Sequence, residues 1–248
     1  MWENKIVDRF ENNAALRKSG VSWIQVHSML HEYKLAFIGD VHGKIDALLR
    51  LIGGYPLTTQ IFQLGDLGMG FGRTRLPEHG AHFRWIRGNH DDPAQCRAHP
   101  NYLGDFGYLH ELKLFYLGGG FSVDHEWRKE WMRRGGAPVW WPDEELSPIE
   151  LGQAEALFAE CQPEIVISHE CPSSVATILL RELGGGFDSI RKHSRTAQSL
   201  QRMFEMHRPR HWIFGHYHVD KIMALDGTTF RCCAELSCCE LEIGEDRE

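Results

Sequence analysis

The chain is 248 residues long and carries 34 acidic against 27 basic residues, for a net charge of −7. That surplus of acid argues against a surface built to coat a nucleic-acid backbone, which needs cations. Hydrophobic residues at 42% and charged residues at 25% exclude a disordered chain.

Residues 3–18 have Ile6, Phe10 and Leu16 near one side, which predicts an N-terminal helix within an extension spanning 1–33. Lys34 to Gly39 reads as a short buried strand and Ile45 to Ile52 as the helix after it. Further strands are expected at Gln60–Leu64, Phe83–Arg87, Leu112–Leu117, Glu164–Ser168 and His211–Phe214. A helix over Ile149–Cys161 has a clear start, with Ser147 as cap, Pro148 in the first turn and Glu150 completing a capping box. Ser173–Leu183 and Thr196–His207 also read as helices, and the last thirty residues as two or three strands broken at Asp226-Gly227 and near Glu235. Strands interleaved with helices indicate an α/β layered fold, and the tail suggests a mixed sheet or two packed sheets. Residues 67–81 are glycine-rich and irregular. Residues 118–147 read as a Trp- and Arg-rich loop insertion holding Trp127, Trp131, Trp140 and Trp141, with packing as the expected fate of these rings.

No apolar run approaches the length of a membrane helix, and the N-terminus has no apolar signal core, so a cytoplasmic protein without a membrane partner is expected. Seven cysteines in no secreted pattern fit reduced thiols. Cys232-Cys233 and Cys238-Cys239 lie in the strand-rich tail, where neighbours face opposite ways and pack as small hydrophobes. The unusual count is 15 histidines, and imidazole is the commonest metal ligand.

Five blocks follow strands: Gly39-Asp40-Val41-His42-Gly43, Gly65-Asp66, Gly88-Asn89-His90-Asp91, Ser168-His169-Glu170 and Gly215-His216-Tyr217-His218. Ligands of open α/β sheets bind beyond such strand ends. Mixed carboxylate, imidazole and amide ligands suit borderline divalent metals. Asp40 and His42, like His216 and His218, are two apart, so in extended backbone each pair points the same way. A carboxylate such as Asp66 has two oxygens with which to bridge two ions about 4 Å apart.

In that order the blocks resemble the signature of the calcineurin-like metallophosphoesterases over residues 40–218. The resemblance implies two mixed β-sheets packed as a sandwich flanked by helices, in a single domain. It implies two divalent ions, manganese first among Mn, Fe, Zn, Ni and Co. Asp40, His42 and His218 would hold one, Asn89, His169 and His216 the other, and Asp66 would bridge them. A metal-bridged hydroxide would attack the phosphate ester. His90 would touch the phosphoryl oxygen or protonate the leaving group, and Asp91 would orient its neighbours.

The protein Ser/Thr phosphatases extend the second block to GDxxDRG; here Met69 and Gly70 stand where that Asp and Arg would be. Arg87 matches the Arg-Gly-Asn-His form and is a candidate for gripping phosphate. Arg73, Arg75 and Arg128 are the other cations at hand. Arg128 is expected to contact phosphate, and Asp124 to brace His90, with His125 beside it. The substrate is then a phosphorylated small molecule, a nucleotide or a phosphoprotein, with nucleic acid disfavoured by charge. A phosphodiesterase or nuclease, and a non-catalytic binding scaffold on the same fold, remain the alternatives.

Overall fold

The computed structural model describes residues 33–72, 74–183 and 194–243. The predicted helix at 3–18, nearly all of the 1–33 extension, and Arg73 lie outside these.

Two mixed sheets form the centre. The first has the order β10-β1-β2-β3, with β1 (Tyr33–Ile38), β2 (Gln60–Gln63), β3 (Phe83–Trp85) and β10 (Cys238–Ile243). Here β1, β2 and β3 run parallel and β10 antiparallel to β1. The second has the order β4-β5-β6-β7-β9-β8. Its parallel centre is β5 (Leu114–Leu117), β6 (Ile165–Ser168), β7 (His211–Phe214) and β9 (Thr228–Cys232); β4 (Phe106–Leu109) and β8 (Lys221–Leu225) are its antiparallel edges.

Strand alternation decides which residues meet. Leu35 and Phe37 of β1 point between the sheets and pack with Phe62, Leu114, Ile165 and Ile213. Ala36 and Ile38 point the other way, against Leu48 and Ile52 of α1 (Ile45–Gly53). On the outer face of the second sheet, Phe158 of α4 (Pro148–Cys161), Leu179 of α5 (Ser173–Glu182) and Phe204 of α6 (Arg195–Met206) cover Trp212 and Phe230. Each fully buried Phe or Leu contributes roughly 1.5–3 kcal/mol, so three such layers hold the sandwich. Two short helices, α2 (Pro93–Arg97) and α3 (His125–Arg133), lie in the connections. Among the described residues no helix is long and apolar enough to cross a membrane.

The capping box forms as the sequence predicts. Ser147 Oγ accepts from Glu150 N at 3.3 Å, and Glu150 Oε2 accepts from Ser147 N at 2.8 Å. The cysteine pairs also split as expected: Cys232 packs against the outer helices, while Cys233 and Cys239 meet between the sheets with sulfurs 3.4 Å apart.

Three expectations need correction. The strand expected from Leu112 starts at Leu114, because His110–Leu112 makes a 3-10 turn closed by Lys113 at φ 46°. The edge strand β4 and helix α2 were not predicted; each is five residues or fewer. The 118–147 insertion is not all loop. It contains α3, which buries none of its residues and so carries no apolar face toward the core. Charge pairs hold its turns instead: Asp124–Arg128, Glu126–Lys129 and Glu130–Arg134.

Candidate metal centre

The five blocks leave the C-terminal ends of β1, β2, β3, β6 and β7 and converge. They do not converge by strand alternation. His42, Asp66, His216 and His218 have φ of 48°, 53°, 68° and 53°, so each sits on a left-handed turn that folds its side chain inward. Such backbone is costly outside glycine and collects at functional sites. Glycines give the turns room: a Cβ on Gly88 would strike the Asp66 carboxylate, and one on Gly65 the His169 ring.

Two groups of donors meet at Asp66. In the first, single ligand atoms of Asp40, His42, Asp66 and His218 all lie within 4.8 Å of one another. Asp40 Oδ2 is 2.9 Å from His218 Nε2 and 3.7 Å from His42 Nε2, and the two Nε2 atoms face each other at 2.9 Å. In the second, His169 Nε2 is 2.9 Å from Asn89 Oδ1 and 3.3 Å from Asp66 Oδ1. His216 Nδ1 is 3.0 Å from the same Asn89 oxygen.

The neighbours fix which atoms face inward. His169 Nδ1 sits 2.8 Å from the Leu64 carbonyl, which leaves Nε2 as the lone-pair atom toward the centre. Asn89 Nδ2 donates to Ser122 Oγ at 2.9 Å, and Ser122 Oγ donates to Glu144 Oε2 at 2.6 Å. That relay turns the Asn89 oxygen toward the two histidines. Ser122 and Glu144 both lie in the 118–147 insertion, and nothing in its sequence marks a partner for Asn89.

The electrostatics favour cation binding. Burial, then the negative charges of Asp40 and Asp91, push the Asp66 carboxyl well above the usual range. Burial pushes Asp40 up as well, but the hydrogen bond from His218 and the charge of His169 outweigh it and hold that carboxyl low. Burial and the adjacent His169 hold His216 at about 3, so its ring offers a lone pair rather than a proton. Repelling carboxylates, an amide oxygen and imidazoles aimed at common points are a donor set that divalent ions of borderline hardness fit.

Around this centre the remaining predicted residues sort differently. His90 donates its backbone N–H to Asp66 Oδ1 at 2.8 Å, and its Nε2 lies 3.9 Å from Asp66 Oδ2. Arg128 Nη2 donates toward His90 Nε2 at 3.3 Å. Burial, then the Arg128 charge, hold His90 at about 2. His90 therefore faces Arg128 as a neutral acceptor here. Asp124 does not touch His90. It accepts from Arg128 Nε at 2.7 Å, and so reaches the histidine only through the guanidinium.

Asp91 is fully buried and accepts from the backbone N–H groups of Leu67, Gly68, Met69 and Gly88 at 2.7–3.2 Å. It shapes the loops and does not face the reaction space. Arg87 corrects the sequence reading outright. It is 0% exposed, donates Nε to Asp105 at 2.7 Å and Nη1 to the Glu144 carbonyl at 2.7 Å, and its buried Nη2 has no hydrogen-bond partner among the described residues, so burial rather than a full set of bonds keeps it from a phosphate arriving from solvent. The position of the absent phosphatase arginine is also explained. Gly70 has φ 93°, and a Cβ there would meet Asp92 and Trp141, so no side chain fits.

No curated protein sequence matches the chain. Solved structures similar to it include a conserved uncharacterized protein from Streptococcus pneumoniae TIGR4, described as a predicted phosphoesterase (13% identity, covering 86% of this chain and 84% of that one, TM-score 0.40). They also include the phosphopantetheinyl hydrolase of Mycobacterium tuberculosis (14%, 88% and 98%, TM-score 0.44) and GAP50 of Plasmodium, an anchor in the inner membrane complex (9%, 86% and 81%, TM-score 0.48). The family model for calcineurin-like phosphoesterases matches residues 33–220, which take in all five blocks and both donor groups. With a two-sheet α/β sandwich beneath that match, the chain belongs to the calcineurin-like phosphoesterase family.

Proposed function

We propose that this protein hydrolyses a phosphate ester with two divalent ions. Asp40, His42 and His218 would hold one ion, Asn89, His169 and His216 the other, and Asp66 would join them. The observation that carries this reading is the meeting of the two donor groups at one carboxylate, with Asp66 Oδ1 3.3 Å from His169 Nε2 and Asp66 within the 4.8 Å cluster of the first group. Divalent ions at such a site activate water and neutralise charge developing on phosphoryl oxygens.

The protein's own groups supply position and charge. Arg128, tied through its three nitrogens to Asp124, the Val139 carbonyl and His90, would offer phosphoryl oxygens the remaining hydrogen on each of Nη1 and Nη2. His90 holds that guanidinium in place and receives its Nη2 hydrogen. The Ser122–Glu144 relay keeps Asn89 turned to the centre. Manganese is our first choice of ion, and a cytoplasmic setting our expectation.

A panel of phosphate mono- and diesters with Mn, Ni, Zn, Co and Mg tests the reading. Metal-dependent turnover that is lost in Asp66→Asn and His216→Ala supports it. Metal-independent silence on every ester, from a folded protein, points to the scaffold alternative.

A further inference from the structure

Trp127 and Trp131 are 62% and 47% exposed, against the expectation that they pack. The cysteine-bearing tail is the reverse case, and it brings two thiols together. Cys233 follows β9 and Cys239 lies in β10. Both side chains point between the two sheets, where their sulfurs are 3.4 Å apart. Their neighbours Cys232 and Cys238 pack on the other faces of the two sheets. A disulfide bond of about 2.05 Å would draw the two sulfurs together by about 1.4 Å from their 3.4 Å contact.

The turn between these cysteines holds the loop that bears Asp40. Leu236 N donates to the Asp40 carbonyl at 2.8 Å, and Gly39 N donates to the Ser237 carbonyl at 3.0 Å. Glu235 pairs with Lys44, and Asp220 Oδ1 accepts from Ala234 N at 3.1 Å and Ser237 Oγ at 2.6 Å. The approach is close: a Cβ on Gly39 would strike the Ala234 and Cys233 carbonyls. Leu236 has φ 54°, backbone that leucine rarely adopts, so the turn depends on its contacts and not on its own preference. We infer that Cys233 and Cys239 are a peroxide-responsive thiol pair whose disulfide staples the base of this turn and stiffens the Asp40 loop. Asp40 belongs to the 4.8 Å donor cluster, so the redox state of the pair reaches the metal centre through that loop.

Hydrogen peroxide balances the step. The hydrogen bond from Cys233 outweighs burial and, with the Arg231 charge, holds the Cys239 thiol below its usual range, and the thiolate is the nucleophile. The Cys239 thiolate attacks one peroxide oxygen and the O–O bond breaks. Hydroxide leaves and takes up the proton that the thiol gave up, which yields water and a sulfenic acid. The Cys233 sulfur then attacks the Cys239 sulfur, the S–O bond breaks, and the hydroxyl leaves with the Cys233 proton as a second water. Each sulfur gives up one electron and the peroxide is reduced. Access comes from the sheet edge. Cys239 is 4% exposed, and β10 is an edge strand with β1 as its one neighbour, so local opening there admits an oxidant as small as peroxide.

Thiol counting and amide exchange on the full chain test this. After hydrogen peroxide and then catalase, denaturation in N-ethylmaleimide should leave two of the seven cysteines unlabelled, and dithiothreitol should restore all seven. Fragment masses should place the bond between Cys233 and Cys239. Cys233→Ala and Cys239→Ala should each remove it, whereas Cys232→Ala/Cys238→Ala should keep it. In the oxidised protein the amides of Gly39 and Leu236 should exchange roughly 10–50-fold more slowly than in the reduced one, and Tm should rise by roughly 4–9 °C. The inference is overturned if all seven thiols stay reactive, if peroxide yields sulfinic acid instead, or if the bond survives either single variant. It is also overturned if the bond forms without slowing exchange at Gly39 and Leu236. Should a variant fail to fold, labelling and exchange of the native chain decide alone. No readout needs an ion or a turned-over ester, so failure of the hydrolase reading leaves the test standing.

Discussion

Arg128 donates at once to Asp124 through Nε (2.7 Å) and toward His90 through Nη2 (3.3 Å), and so ties a helix that buries nothing to the rim of the metal centre. A lysine cannot reproduce that fork. Arg128→Lys should lower kcat/KM on the best ester by roughly 10–150-fold, the equivalent of about 1.5–3 kcal/mol for a charged hydrogen bond. Asp124→Asn, acting only through Arg128, should cost less. Steady-state kinetics on both variants check the order; equal losses would mean that Asp124 acts directly.

Asp91 predicts a stability effect. Its removal would leave the four backbone donors at Leu67, Gly68, Met69 and Gly88 without their acceptor in a buried site. Asp91→Ala should destabilise by about 3 kcal/mol or more. For a domain of this size that is a Tm loss of roughly 6–12 °C, readable by calorimetry on the metal-free protein.

Metal binding should be visible without any substrate. An ion at 100 times its Kd adds about 2.7 kcal/mol to stability, or roughly 5–11 °C in Tm. Titration calorimetry with Mn should give two ions per chain. Asp66→Asn should abolish the tighter binding, and a chelator should return the native protein to its metal-free Tm. A stoichiometry of one would remove the second donor group from the proposal.

Asp105 gives a pH dependence away from the metal centre. Burial raises its carboxyl, but Arg87 and Arg97, with the Tyr102 hydroxyl at 2.9 Å, outweigh burial and hold it below the usual range. A carboxyl depressed on folding stabilises above its unfolded pKa of about 3.9 and loses that stability as pH falls toward its lower folded value. The native protein should therefore lose stability to Asp105→Asn at pH 7, and the gap between the two should close as pH drops below about 4. Urea unfolding at several pH values measures it.

Much of this was legible from residue order. Asp40, Asp66, Asn89, His169 and His216 each follow a strand, and parallel strands bring their ends together whatever lies between. What stayed hidden depended on conformation or on distant partners. The two-residue spacing of Asp40 and His42 suggested an extended backbone, but His42 sits on a left-handed turn. Arg87 occupied the place of a phosphate-binding residue, and only the fold shows it fully buried against Asp105 and the Glu144 carbonyl. Ser122 reaches Asn89 across 33 positions of sequence, a distance over which no local pattern speaks. Helix α3 escaped notice because it is built from charge pairs instead of an apolar stripe facing the core.

The pairing of β10 with β1 also sets an order of events. Backbone bonds from Gly39 to Ser237, and from Leu236 to Asp40, clasp the loop that bears Asp40. A ribosome delivers β1 well before β10, so the nascent protein carries an unzipped edge while every strand between them is made. Asp40 is the first of the convergent groups to be made, yet it is locked in place only when β10 closes the sheet.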